Sequence, residues 1–309
     1  MPSLVCFREG VFVTSSSEAK ANMPRLGFIG AGTVGTSLAI RLKSAGYHIS
    51  AVASRSHTSA EKLARMVEGC HAFNTSQDAT DNAEIIFITT PDDAIPAVAS
   101  EIEWHPGQSV VHCSGADSTE ILTPAKKQGA NIGVFHPLQT FSGLEQALEN
   151  IPGSTFALEA EEPLLSTLKE MAAALNGYPV ILKAEDKVLY HTAAVITCNY
   201  LVTLTKLATD LWQTFNVPTR EATRALLPLL RGTISNLETI GTPNCLTGPI
   251  SRGDTGTVKK HLNALKEKAP DLLPAYRELG LQTIPIALAK GKIGKQQAHE
   301  LETALAEYP

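Results

Sequence analysis

The chain has 309 residues, of which 43% are hydrophobic and 18% charged, with a formal net charge of −5 at pH 7. That length gives room for about two domains, and that apolar content excludes a disordered chain. The acidic balance, with no run of lysine or arginine, excludes a nucleic-acid footprint.

The five cysteines are odd in number and scattered, with no Cys-x-x-Cys pair. They read as reduced thiols of a cytoplasmic protein and offer no zinc site. No apolar run reads as approaching the roughly 20 residues of a membrane helix, so no membrane partner is expected. Residues 1–22 hold short apolar stretches interrupted by Arg8 and Glu9, then the polar run Thr14-Ser-Ser-Ser-Glu18. They read as a flexible N-terminal extension and not as a signal peptide.

Leu26, Phe28 and Ile29 form a short apolar run of the kind buried in parallel sheets. Gly30-Ala31-Gly32-Thr33-Val34-Gly35 follows at once, and residues 36–46 read as a helix stopped by Gly46. Between a strand and a helix, Gly-x-Gly-x-x-Gly is the dinucleotide fingerprint. Gly30 permits the tight turn, Gly32 lets a pyrophosphate approach the backbone, and Gly35 lets the helix pack close on the strand. Free N–H groups and the positive end of the helix dipole then face the phosphates.

Residues 48–53 read as the second strand. An NAD-selective site places Asp or Glu at its end, on the ribose 2′-hydroxyl. This chain has Ser54, Arg55 and Ser56 there. Arginine neutralises a 2′-phosphate and serine hydroxyls hydrogen-bond to it, so the pattern favours NADP(H) over NAD(H). The alternative is an arginine on a solvated loop. Another apolar strand ends near Thr89, Thr90 and Asp92, which are candidate cofactor contacts, with Asp92 read equally as the N-cap of the next helix.

The strand 108–112 runs into Cys113-Ser114-Gly115, a small-residue loop whose N–H groups and hydroxyl suit a substrate carboxylate. The strand 130–135 leads into His136-Pro137. His112 and His136 both fall at the carboxyl ends of strands, the ligand side of an open α/β sheet. Buried structural roles are the alternative for each.

From Glu185 onward the pattern is helix after helix. Residues 187–215 read as a single helix about 45 Å long. Pro228 is expected to kink the next one, and Asp254 to cap the helix that follows the turn at 247–254. The fold class is therefore α/β plus all-α: a doubly wound Rossmann sheet over 23–184, then a helical domain over 185–309.

Together, Gly30–Gly35, His112-Cys-Ser-Gly-Ala116, Phe135-His-Pro-Leu-Gln-Thr-Phe141, His191…Asn199 and Gly248-Pro-Ile-Ser-Arg-Gly-Asp254 resemble a family of short-subunit dehydrogenase-like oxidoreductases, over about residues 24–305. That family joins a Rossmann domain to a C-terminal helical domain of unknown function and has no settled substrate. Its fold is similar to that of 6-phosphogluconate, 3-hydroxyisobutyrate, ketopantoate and pyrroline-5-carboxylate oxidoreductases. Several β-hydroxyacid members of the wider superfamily carry Lys-x-x-x-Asn at the start of the long helix. Lys187-x-x-x-His191 matches that spacing, with His in the Asn place.

Residues four apart on a helix lie about 40° apart around the axis, so both face one cleft. An imidazole with an ordinary pKa near 6.5 suits proton transfer at neutral pH better than a lysine near 10.4. His191 is thus the expected proton donor and Lys187 its helper, against the alternative of a histidine holding a domain interface.

The resemblance carries substrate binding onto Ser114 and Gly115, with His136 holding a polar group. The His136-Pro137 step is similar to that of prephenate and arogenate dehydrogenases. Leu138-Gln139 replaces their Met-x-Gly, so no prephenate-like substrate follows. Asn199 lies about 12 Å along the axis from His191, in a supporting position. Arg252 either clamps an anionic substrate group or pairs with Asp254.

The resemblance implies an NADP(H)-dependent oxidoreductase acting on a small carbonyl, hydroxy-acid or imino-acid substrate, and a homodimer by analogy. Two other readings stay open. One is a non-catalytic NADP(H)-binding sensor or scaffold protein, the other a deazaflavin-dependent NADP oxidoreductase.

Overall fold

The computed structural model describes residues 23–306, and the expected extension 1–22 lies outside them. Eight strands form one sheet: β1 (Arg25–Ile29), β2 (His48–Ala53), β3 (His71–Phe73), β4 (Ile85–Ile88), β5 (Ser109–His112), β6 (Asn131–Leu138), β7 (Thr155–Ala160) and β8 (Tyr178–Ile181). Their order is β3-β2-β1-β4-β5-β6-β7-β8. Pairing is parallel from β3 to β6, antiparallel between β6 and β7, and parallel again between β7 and β8. The strand order reverses between β1 and β4, which opens a crevice outside the carboxyl ends of the strands, where such sheets bind ligands.

The apolar runs are strands because helices cover both faces of the sheet, so every residue of β4 and β5 is buried. Phe28, Phe87, Phe135 and Phe156 form a row across the sheet, with ring centroids 5.2, 5.8 and 4.7 Å apart in turn. Each ring is fully buried, a contribution of about 1.5–3 kcal/mol apiece. This row ties β1, β4, β6 and β7 together in the interior of the sheet unit.

The first compact unit ends at Ile196 and the second begins at Thr197. The strands stop at Ile181, near the division expected at 184/185, and the helix Lys187–Thr197 goes almost entirely with the sheet unit. In the second unit, Ile250, Val258, Leu262, Ile284, Leu301 and Leu305 form the core between the helices Thr255–Lys268, Leu273–Ala289 and Lys295–Ala306. Asp254 caps the first of these, accepting from Thr257 N at 2.9 Å.

Two sequence expectations change. The single helix over 187–215 is two, Lys187–Thr197 and Asn199–Gln213, interrupted at Cys198. The Thr197-Cys-Asn199 step groups residues whose side chains compete for backbone hydrogen bonds or lose rotamer freedom in a helix. The expectation that nothing is long and apolar enough to cross a membrane also fails. Within Ala184–Gln213 an 18-residue window with a mean hydropathy of 1.2 meets that requirement by length and composition. His191 and Asn199 break the run to the eye without lowering its average enough.

Candidate functional site

The glycine turn has the mechanics its spacing implies. Gly30 has φ +109°, and a Cβ there would lie 2.7 Å from the Thr89 carbonyl carbon. A Cβ on Gly35 would strike the Gly30 carbonyl oxygen and Thr89 Oγ1, so only glycine lets this helix approach the sheet so closely. Gly32 is different, since a Cβ there would meet nothing within 4 Å. The space above it is open.

Gly32 is also the N-cap of the helix Thr33–Ser44, with no side-chain cap and no acidic residue in the first turn. The first N–H groups and the positive helix end thus face that space without a protein partner. Thr89 Oγ1 donates to Gly30 O at 2.8 Å and ties the β4 loop to the turn. Beside it, Thr90 Oγ1 is buried without a hydrogen-bond partner. An uncapped helix end, open space above Gly32 and an orphaned hydroxyl fit a dinucleotide's phosphates. At the end of β2, Ser54 is half-buried while Arg55 and Ser56 are exposed, and Ser56 N-caps the helix His57–Met66 without using its hydroxyl.

At the ends of β5 and β6 the polar groups converge. Ser114 N donates to His112 Nδ1 at 3.1 Å, so His112 Nε2 carries the proton and donates to Ser118 O at 3.1 Å. Burial, and then the nearby Lys187, lower the His112 pKa to about 4. His112 is a neutral strut inside the loop, and its structural alternative is the one realised.

Ser114 is buried, and its Oγ lies 2.8 Å from both Asp92 Oδ2 and Asp117 Oδ2. That hydroxyl is committed to the protein, and Gly115 beside it is buried as well. Asp92 does not cap a helix; Pro91 holds that place, and the Asp92 carboxylate is tied to Ser114.

Lys187, Tyr190 and His191 share the inner face of the helix Lys187–Thr197 through i, i+3 and i+4 spacing. Lys187 is 1% exposed, and its Nζ donates to Ser114 O at 3.3 Å. Burial lowers its pKa to about 8, against the pull of Glu159, Asp117, Cys113 and Asp92. The Tyr190 hydroxyl lies 2.9 Å from His136 Nδ1. Burial pushes the Tyr190 phenol up to about 12. Burial, Lys187 and then His191 push His136 down to about 3.

The His136 and His191 rings are 6.4 Å apart and nearly perpendicular. Gly115 fits between them: a Cβ there would lie 2.6 Å from His191 Cδ2 and 2.9 Å from His136 Nε2. Gly115, His136, Lys187 and His191 are therefore brought together, with Tyr190 added. Sequence reasoning missed Tyr190, although it stands three residues after Lys187. Asn199 and Arg252 belong to the second unit, where Asn199 is exposed and Arg252 pairs with Asp254 at 3.6 Å.

The chain matches a Rossmann-like domain over residues 13–137 and a domain of unknown function (DUF2520) over residues 154–283. No curated protein matches it. Among solved structures it is similar to a Bacteroides fragilis protein assigned as an NADP oxidoreductase, at 25% identity and TM-score 0.69, covering 85% of this chain and 98% of that one. A Thermotoga maritima protein is similar at 28% identity and TM-score 0.69, over 86% and 99% of the two chains. A reductive aminase from Aspergillus terreus, in complex with NADPH and ethyl levulinate, shares the fold at 17% identity and TM-score 0.64, over 91% and 99%.

Proposed function

We propose that this chain is an NADP(H)-dependent oxidoreductase acting on a small carbonyl, hydroxy-acid or imino-acid substrate, with a Rossmann and helical architecture of the 6-phosphogluconate dehydrogenase and ketopantoate reductase type. One observation carries the reading. An uncapped helix end at Gly32 and a cluster of Lys187, Tyr190, His191 and His136 stand at the carboxyl ends of strands in the same unit. A protein that only sensed the nucleotide would have no use for the second feature. The similarity to the Bacteroides fragilis protein assigned as an NADP oxidoreductase supports the same reading.

Residues 30–35 with Thr89 and Thr90 hold the diphosphate, and Ser54, Arg55 and Ser56 hold the 2′-phosphate. The nucleotide supplies the hydride chemistry. The chain supplies orientation and proton handling. His191 exchanges a proton at a ring nitrogen, and Lys187 anchors the Ser114 carbonyl and with it the loop. His136, held neutral by burial, offers Nε2 to a substrate polar group and orients Tyr190 through Nδ1. Gly115 presents backbone rather than side chain between the rings. Ser114 and Asp92 shape the loop from beneath.

A second copy of the chain covers the apolar side chains exposed along the helices. Val188, Leu189 and Ile196 are 63%, 73% and 56% exposed, and Leu229 is 68% exposed. Surface of that kind is characteristic of an interface.

The test of this function is a titration with NADPH, NADH and a deazaflavin, followed by turnover on carbonyl and imine panels. NADPH should bind tightest, and Arg55→Asp should weaken NADPH at least about tenfold more than NADH. His191→Ala should lower kcat about a hundredfold with NADPH affinity unchanged. Tight NADPH binding with no oxidation of any panel member would favour a sensor, and preference for the deazaflavin would replace the cofactor assignment.

A further inference from the structure

The second unit carries a basic groove remote in sequence from the cluster above. The turn at 246–252 and the segment at 290–292 border an open space of about 410 Å³ lined by Leu246, Thr247, Gly248, Ser251, Arg252, Lys290 and Lys292. No acidic residue lines it, in a chain whose net charge is −5.

The groove is built rather than incidental. Gly248 and Gly291 take left-handed conformations at φ +95° and +71°, which turn the chain sharply at both walls. Lys290 Nζ donates to Leu246 O at 2.6 Å and Ser251 Oγ donates to the same oxygen at 3.2 Å, so the two walls are tied at one carbonyl. Ile293 is buried beneath the second wall.

Charge balance sets what the groove can hold. Arg252 has one carboxylate partner, Asp254, at 3.6 Å, and Asp254 is already engaged by Thr257 N and Oγ1. Lys290 is bonded only to a neutral carbonyl, and Lys292 forms no ion pair among the described residues. Three cations therefore face one carboxylate, and the uncompensated charge is close to +2. A groove with that excess, hydroxyls from Thr247 and Ser251, and a guanidinium able to bind two oxygens matches a doubly charged oxyanion.

We propose that this groove is a binding site for such an oxyanion, either a phosphate group or a dicarboxylate. The proposal takes up the alternative, left open by the sequence, in which Arg252 holds an anionic group. It adds Lys290 and Lys292 and names the ligand class.

Calorimetry on the full chain, with and without saturating NADPH, tests it with inorganic phosphate, succinate and acetate. Phosphate or succinate should bind in the presence of NADPH, with acetate at least about tenfold weaker. Lys292→Ala and Arg252→Ala should each weaken the preferred dianion about tenfold, and added salt should weaken it further. Tighter phosphate points to a phosphate ester, and tighter succinate to a dicarboxylate.

Affinity unchanged in both variants, equal binding of acetate, or binding abolished by NADPH would each overturn the site. Failure of the oxidoreductase reading looks different. In that case NADPH is never oxidised, while the dianion still binds and still responds to Lys292→Ala.

Discussion

The carboxyl edge of the sheet and the helices between 199 and 239 are opposites. At the sheet edge, Lys187, His112 and Ser114 are buried. In the helices Asn199–Gln213 and Thr219–Thr239, only Thr209 and Ala222 are buried, while Tyr200, Val202, Leu229, Ile234 and Leu237 stand exposed. Proteins normally do the reverse in each place. Burying a charge costs free energy unless something is gained elsewhere, and at the sheet edge the gain is a lysine and two histidines with shifted proton affinities. Leaving valines and leucines in water costs as well, and the second copy proposed above would remove that cost. Each region is legible as the exception that a function requires.

The comparison breaks most visibly at the apolar helices. The double variant Leu189→Glu, Leu229→Glu should weaken self-association by at least about a hundredfold, seen as a shift from dimer to monomer in sedimentation. If the wild-type chain sediments as a monomer, the exposed faces have another partner.

The buried charge can be sharpened through pH. The Lys187 pKa is about 8 in the fold against an ordinary 10.5. Between those values the unfolded chain holds more protons than the folded one, so the contribution of this group to stability rises with pH across that window. Measured by denaturant unfolding, the wild type should gain up to about 3 kcal/mol relative to Lys187→Met between pH 7 and 10.5. At pH 7 the methionine variant should be no less stable than the wild type. A difference that stays flat across this range would place the lysine in an ordinary environment.

The smallest expected effect concerns space. Gly115→Ala should lower kcat about tenfold by displacing the His136 and His191 rings, which turn aside without unfolding the chain. Unchanged turnover with unchanged Tm would mean that the rings are not part of the chemistry.

Much of the fold was legible because its signals are local. The apolar runs at 26–29 and 85–88 read as buried strands, and the spacing of Gly30, Gly32 and Gly35 carries its own mechanics. The pairing of Lys187 with His191 came from the Lys-x-x-x-Asn spacing that the resemblance supplies, and helical period put both on one face. What was hidden depends on how loops fold and on contacts distant in sequence. Nothing near Ser114 reveals that Asp92 and Asp117 consume its hydroxyl. The inward orientation of His112 is set by the Ser118 carbonyl in the folded loop. Tyr190 gained meaning only when His136, 54 residues earlier, arrived beside it. Lys290 and Lys292 carry no local signal, and only the folded chain brings the turn at 247–252 beside them.

The most direct measurement is the dissociation constant for NADPH of Gly32→Asp. Nothing lies within 4 Å of the position a side chain would take there, so the variant should fold with an unchanged Tm. Its carboxylate would occupy the ground where the diphosphate rests, and NADPH affinity should fall at least about a hundredfold. A normally folded variant that still bound NADPH as the wild type does would contradict the account.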